Sequence, residues 1–414
     1  MNAVKRIFTV LLSVAALSAL SAQAGQKQIV RTGIEVLEGR GFEGLVGKNV
    51  GLVTNPSGID HNLRSTIDIL HEAPGVNLKA LFAPEHGVRG DAYAGSHVED
   101  FKDPKTGIPV YSIYGSNRKP SKKMLEGLDI VVYTSISTLG LVMRACAENG
   151  IEVMVLDRPN PLGGNKIEGC LVEPGFHSFV SEFKIPYIYG LTVGELALLL
   201  NEEGLNCGEK GNEAPLKCRL SVIPMEGWTR NMLYQDTNLP WVLPSPNIPY
   251  PQSAVNYPSS GITGEFQGYL NIGIGYTLPF EVFAAEWIDA DALKALLDSY
   301  NLPGVAFRTI HFKPFSGSLQ GKLIHGVQFH YTDYEAACCT LTQFYVMQAV
   351  NELYPEKNPF ALSKGRNNMF DKVCGTDYVR TTFGKRLKVE DIADYWSKDV
   401  EAFRTLSRKY WLYN

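Results

Sequence analysis

Several polar residues in this chain sit where a β-rich run stops. In LFAPEHGVRG, residues 81–90, Glu85 and His86 follow an apolar run and Pro84, with Gly87 and Gly90 around them. Asn55 follows NVGLVT, Ser135 follows DIVVYT, and Asp157, Arg158 and Asn160 follow EVMVL. A carboxyl group is costly to hold against apolar strands unless something pairs with it or uses it. Glu85, with His86 and Arg89 close by, therefore has the makings of a general acid or base. The amides, the hydroxyl and Arg158 are groups that hold a polyhydroxylated, partly anionic ligand. Asn55 and Asn160 each adjoin a proline, so turn geometry accounts for them equally well.

These residues matter only if the strands lie side by side. NVGLVT (49–54), NLKALFA (77–83), DIVVYTS (129–135) and EVMVLD (152–157) are near-continuous apolar runs. They alternate with amphipathic stretches, among them TLGLVMRACAENG with a terminal glycine and TVGELALLLNEEG with Thr192 as its N-cap. Apolar strands alternating with helices predict a parallel sheet covered on both faces, a Rossmann-like α/β domain over residues 28–205. In such a sheet ligands bind beyond the carboxyl ends of the strands, so the polar residues above would share one rim. Residues 206–414 read as a smaller α+β domain. It contains the proline-rich LPWVLPSPNIPYPQSAVNYPSSG, strand-like runs through HGVQFHYTD, and a helix over 339–353.

Composition sets outer limits. The 414 residues are 45% hydrophobic and 20% charged, with a net charge of −4 and no basic block, which argues against a nucleic-acid partner. Residues 1–24 combine Lys5 and Arg6, an apolar run from Ile7 to about Leu20, and Ala22-Gln23-Ala24. That is the pattern of a cleaved secretory signal, with the mature chain starting near Gly25, most readily in a periplasm and without stable membrane insertion. Cys207 and Cys218 flank a polar loop and could bridge in an oxidising compartment. GRGFEG precedes the first strand and so lacks the context of a dinucleotide site. GxSxG and HExxH are absent, and His325 and His330 are spaced to face opposite sides of a strand, so no metal or other cofactor is expected. His325 reads as core or as cleft lining.

Taken together and in order, GLVTNPSG, FAPEHGVRG, VLDRPNPLGG and PWVLPSPNIP make the sequence resemble the NamZ-like exo-β-N-acetylmuramidases. The likeness runs on through HGVQFHYTD and GTDYVR to FRTLSRKYWLY, nearly the whole mature chain. It implies a Rossmann-like domain joined to a smaller C-terminal domain, with the active site between them. The implied reaction removes N-acetylmuramic acid from the non-reducing end of peptidoglycan fragments. The family's catalytic glutamate lies in PEHG, here Glu85, and Arg158 or Arg89 is the partner for the substrate's lactyl carboxylate. Asp91, Asp157, Glu168 and Glu265 are candidates for a second carboxylate, whose place the sugar's own N-acetyl group can also take. Two stretches depart from the family. The rim loop that many members carry after the third strand is missing, and IGIG (272–275) stands where many have a charged EGRG. These departures leave a second reading open, a periplasmic binder of muropeptide sugars that does not hydrolyse them.

Overall fold

The computed structural model describes residues 29–90, 100–115, 118–134, 138–205, 216–266 and 268–414. The signal-like segment, Asp91, Ser135 and Cys207 lie outside the described residues.

The four predicted strands join three further ones in one seven-stranded sheet. In chain order they are β1 (Asn49–Val53), β2 (Asn77–Ala83), β3 (Phe101–Lys102), β4 (Pro109–Ser112), β5 (Ile130–Tyr133), β6 (Glu152–Leu156) and β7 (Arg219–Ile223). Their spatial order is β3-β4-β2-β1-β5-β6-β7, parallel throughout except for β3 at the edge. Strand residues alternate between two buried layers. Val50, Leu52, Leu81, Ile130 and Val132 join one cluster, and Val53, Phe82, Val131, Tyr133 and Val153 the other. Helices α1 (Gly33–Gly39) and α2 (Thr66–Glu72) cover the first layer through Ile34, Leu37, Ile67 and Leu70. Helices α3 (Leu139–Asn149) and α4 (Val193–Glu203) cover the second through Val142, Met143, Leu196 and Leu200. The expected caps are in place: Gly150 ends α3 with a φ of 69°, and the Thr192 side chain accepts from the Glu195 amide at the start of α4.

Strand β7 shifts the boundary expected at residue 205. Arg219 pairs with Glu152 and Ile223 with Leu156, so the first sheet closes only after the second domain was expected to begin. Its short polar pattern hid it, because as an edge strand it is buried mainly at Ile223. The second domain holds an antiparallel sheet, β8 (Val282–Ala285), β10 (Ile324–Tyr331) and β9 (Val305–Phe312) in spatial order. Helices α5 (Ala290–Ser299) and α6 (Cys339–Leu353) pack with it around Phe283, Leu293, Phe329 and Phe344.

The chain's last residues return to the first domain. Arg230, 3% exposed, donates to the Glu195 carboxylate at 2.7 Å, and its guanidinium lies 3.7 Å from the Trp411 ring centre. Glu195 also accepts from the Leu412 amide at 2.9 Å, and the Arg230 amide donates to the Asn414 carbonyl at 2.9 Å. Burial alone would penalise both charges, so each is held by its partner and by backbone groups. No described helix is long and apolar enough to cross a membrane.

Candidate active site

The sheet runs outward from its centre in two directions, β1-β2-β4 one way and β5-β6-β7 the other, so the crossover reverses between β1 and β5. At the carboxyl ends of these two strands the Thr134 hydroxyl donates to Thr54 Oγ1 at 2.8 Å. A crevice is expected at such a reversal, and two hollows open there. One, of about 510 Å³, lies between the domains, with Glu85, Asn160 and Tyr189 on the first-domain side and Tyr257, Glu265 and Cys374 on the other. The second, of about 440 Å³, is walled by Asn55, His86, Arg158, Tyr234 and Trp241. Glu85, Asn160 and Tyr189 line both hollows and so stand between them.

Glu85 is the second residue after β2. The turn that carries it is tightly built: His86 has a φ of 71° and Gly87 one of 78°. Gly90, at φ 88°, passes so close to the β1 loop that a Cβ there would lie 2.8 Å from Pro56 Cγ. The hydroxyl of Tyr114, two residues past β4, donates to Glu85 Oε1 at 2.8 Å. Burial and the neighbouring Glu85 carboxylate push the Tyr114 phenol up to about 12, so it remains a donor at neutral pH.

The other expected site residues divide. Asn160 bridges the hollows, its amide donating to Leu191 O at 3.0 Å while its Oδ1 accepts from the Leu162 amide. Asn55 lines the second hollow, but its Oδ1 is occupied by the amide and hydroxyl of Ser57, the turn role that the adjoining proline allowed. Arg158 faces the same hollow, donating to Ile59 O at 2.6 Å beside Tyr234. It forms no ion pair among the described residues, and burial lowers its pKa. Glu265 lines the first hollow already paired with Arg366 at 2.6 Å.

Three expectations move away from the hollows. Arg89 forks onto Asp103 at 2.6 Å and reaches Asp68 at 3.2 Å, where it braces the loop before β4. The favourable pairing holds Asp103 down at about 2. His325 sits on β10 opposite His311, ring nitrogen to ring nitrogen at 2.8 Å, and lines neither hollow. Glu168 caps the N-terminus of α6 from a distance, accepting from the Cys339 and Thr340 amides.

Asp157 also lines neither hollow. It is fully buried behind Arg158 and accepts from the Arg158 and Gly194 amides, the Thr192 hydroxyl, and the Tyr413 hydroxyl at 2.5 Å. Burial pushes its carboxyl up to about 6 against these hydrogen bonds. A group raised above its unfolded value of 3.8 stabilises the fold while protonated, and that contribution is lost as pH rises through about 6. Asp157→Asn keeps the acceptor for the two amides, and both hydroxyls can rotate to accept instead. The variant should therefore gain stability relative to the parent between pH 4.5 and pH 7, read from thermal unfolding of both; parallel curves would show an ordinary pKa for Asp157.

Comparison with known proteins decides the family. Residues 50–252 match the N-terminal domain model of the exo-β-N-acetylmuramidase NamZ, and residues 255–413 match its C-terminal domain model. The chain belongs to the NamZ family. It is 42% identical over 401 residues to the peptidoglycan β-N-acetylmuramidase NamZ of Bacillus subtilis (strain 168), covering 94% of this chain and 93% of that protein. Two crystal structures of DUF1343 family proteins from Bacteroides fragilis NCTC 9343 share the fold. One has a TM-score of 0.88 and 51% identity over 94% of this chain and 100% of its own. The other has a TM-score of 0.72 and 28% identity over 93% of this chain and 99% of its own. This NamZ-family chain is a glycosidase.

Sequence reasoning overlooked three residues of its site. Tyr114 stands just past a strand end on the same rim, but β4 is only four residues long and carries a weak signal. Glu182 and Tyr189 belong to the irregular connection between β6 and α4, where no periodicity marks what faces inward.

Proposed function

We propose that the chain is a secreted exo-β-N-acetylmuramidase that releases N-acetylmuramic acid from the non-reducing end of peptidoglycan fragments, with Glu85 as its acid–base carboxylate. The observation that carries this reading is the place of Glu85, on the divide between two hollows and held there by the Tyr114 hydroxyl. A glycosidic bond lying across that divide would put one sugar in each hollow with its bridging oxygen near a carboxyl group. The second hollow suits the muramic acid unit: Trp241 and Tyr234 offer aromatic faces, and Arg158 offers a partly buried cation to the lactyl carboxylate. Arg89, the other expected partner for that carboxylate, is taken by Asp68 and Asp103. The family match and the Bacillus relative support the same substrate class.

The direct test is incubation with a peptide-free N-acetylmuramyl-β-1,4-N-acetylglucosamine disaccharide and with intact glycan strands. Free N-acetylmuramic acid should be released from chain ends, without internal cleavage. Tight binding without release over hours would overturn the assignment of N-acetylmuramic acid as the group released. Cell fractionation and N-terminal sequencing test the export reading, which expects a mature end near Gly25.

Arg158 gives a specificity prediction. Losing a charge-assisted contact is worth about 1.5–3 kcal/mol, so Arg158→Met should raise KM for muramic acid substrates by about 10- to 150-fold. The same change should matter little for an N-acetylglucosaminide, which lacks the lactyl acid. Equal losses on both substrates would remove Arg158 from recognition.

A further inference from the structure

Among the described residues, three carboxyl groups line the hollow between the domains, Glu85, Glu182 and Glu265. Glu265 is neutralised by Arg366. Glu182 stands apart: its Oε1 is closed off from solvent and has no hydrogen-bond partner among the described residues. A buried polar atom left unsatisfied is costly and calls for an explanation such as a catalytic role or a missing ligand. The segment that bears it is ordered by the paired backbones of Ser178 and Ser181, and the His177 ring meets the Glu182 carbonyl at 3.3 Å. Its neighbour Phe179 packs edge-on against Tyr114, ring centres 5.9 Å apart, and Tyr114 is the residue that holds Glu85. One aromatic contact thus ties the loop of one carboxyl group to the support of the other.

We propose that Glu182 is the second carboxyl group of the glycosidase: it meets the substrate protonated and gives that proton to the departing glycosidic oxygen. The proposal rests on the reading of Glu85 given above and divides the acid and base tasks between the two residues. The bond from the anomeric carbon to the leaving oxygen breaks, and the Glu182 proton ends on that oxygen. Water adds to the anomeric carbon and loses its proton to Glu85. The cycle closes when Glu85 releases its proton to solvent and Glu182 takes one up.

The surroundings favour the protonated form. Burial pushes Glu182 up to about 7, and the cation that bears on it, Arg118, is exposed and stacks 4.3 Å from the Phe179 ring centre. Tyr187, Tyr189 and Cys374 face the same hollow, and burial raises each well above its ordinary value, so all three stay neutral there. A carboxyl group kept neutral near pH 7 by an apolar site is what proton donation to a sugar oxygen requires.

The test compares Glu182→Gln with the parent on two substrates. One is the N-acetylmuramyl disaccharide; the other is a 2,4-dinitrophenyl β-N-acetylmuraminide, whose leaving group departs without a proton. Turnover of the disaccharide should fall by about 10²–10⁴-fold, and turnover of the dinitrophenyl glycoside should change little. The parent's disaccharide rate should fall as pH rises through about 7, a limb missing from the variant. Equal losses on both substrates, or disaccharide turnover like the parent's with the alkaline limb intact, would overturn the assignment. Should the Gln variant unfold, Glu182→Asp takes its place: a weakened disaccharide rate that keeps the alkaline limb supports the proposal, and a rate without that limb refutes it. A parent inactive on both substrates would instead refute the muramidase reading above, and an active parent beside an unaffected Glu182 variant would refute this proposal alone.

Discussion

Glu85→Gln is expected to reduce release of N-acetylmuramic acid by about 10²–10⁴-fold, the usual contribution of a group that transfers a proton in the transition state. The change is nearly isosteric, and the Gln side-chain oxygen can still accept from the Tyr114 hydroxyl, so the PEHG turn should keep its shape. Substrate binding should survive because the residues proposed to hold the sugar, Arg158, Asn160 and Trp241, which line the second hollow, are untouched. Calorimetry with the disaccharide, together with circular dichroism of the folded state, separates this outcome from simple unfolding. The loss should extend to the dinitrophenyl glycoside, because an activated leaving group does not replace a base. Full activity in the variant would dismiss Glu85 from the chemistry and leave its place on the divide unexplained.

The largest stability effect is expected at the buried pair of Arg230 and Glu195. Arg230→Met leaves the Glu195 carboxylate buried without its cation and removes the partner of the Trp411 face. Breaking a buried pair from one side costs about 3–5 kcal/mol, seen as a lower urea midpoint of unfolding. The double variant Glu195→Gln, Arg230→Met should recover part of that loss, since it removes the stranded charge. A single variant as stable as the parent would mean that water reaches Glu195 and that the pair is not sealed. Burial underlies both predictions, with opposite emphasis: Glu85 stands at an opening where a substrate can meet it, and Glu195 is shut in with its partner.

Much of the first domain was legible because parallel strands covered on both faces must be apolar almost without interruption. β2 matches its expected span, and β1, β5 and β6 match theirs to within two residues at an end. Glu85 was legible as the first charged residue beyond the carboxyl end of β2. Local patterning carries no information about partners distant in the chain. Arg89 was expected in the site because it lies near Glu85 in sequence, whereas its carboxylate partners lie 14 and 21 residues away. His325 was placed by strand alternation, but its neighbour His311 is set by the register of β9 against β10. Glu182 was missed for the opposite reason. It sits in a stretch without secondary-structure periodicity, and only the closing of the domains around it creates the environment that sets it apart.

The returning C-terminus bears on how the protein is made. Tyr413 reaches Asp157, Trp411 covers Arg230, and Asn414 accepts from the Arg230 backbone, so the final residues complete the first domain's interior. A chain still emerging, or one that has lost its end to a protease, presents a guanidinium with an uncovered face and an aspartate short of one donor. The first domain therefore reaches its full stability only once residues 411–414 are in place. A tag fused after Asn414 is attached at the closure itself.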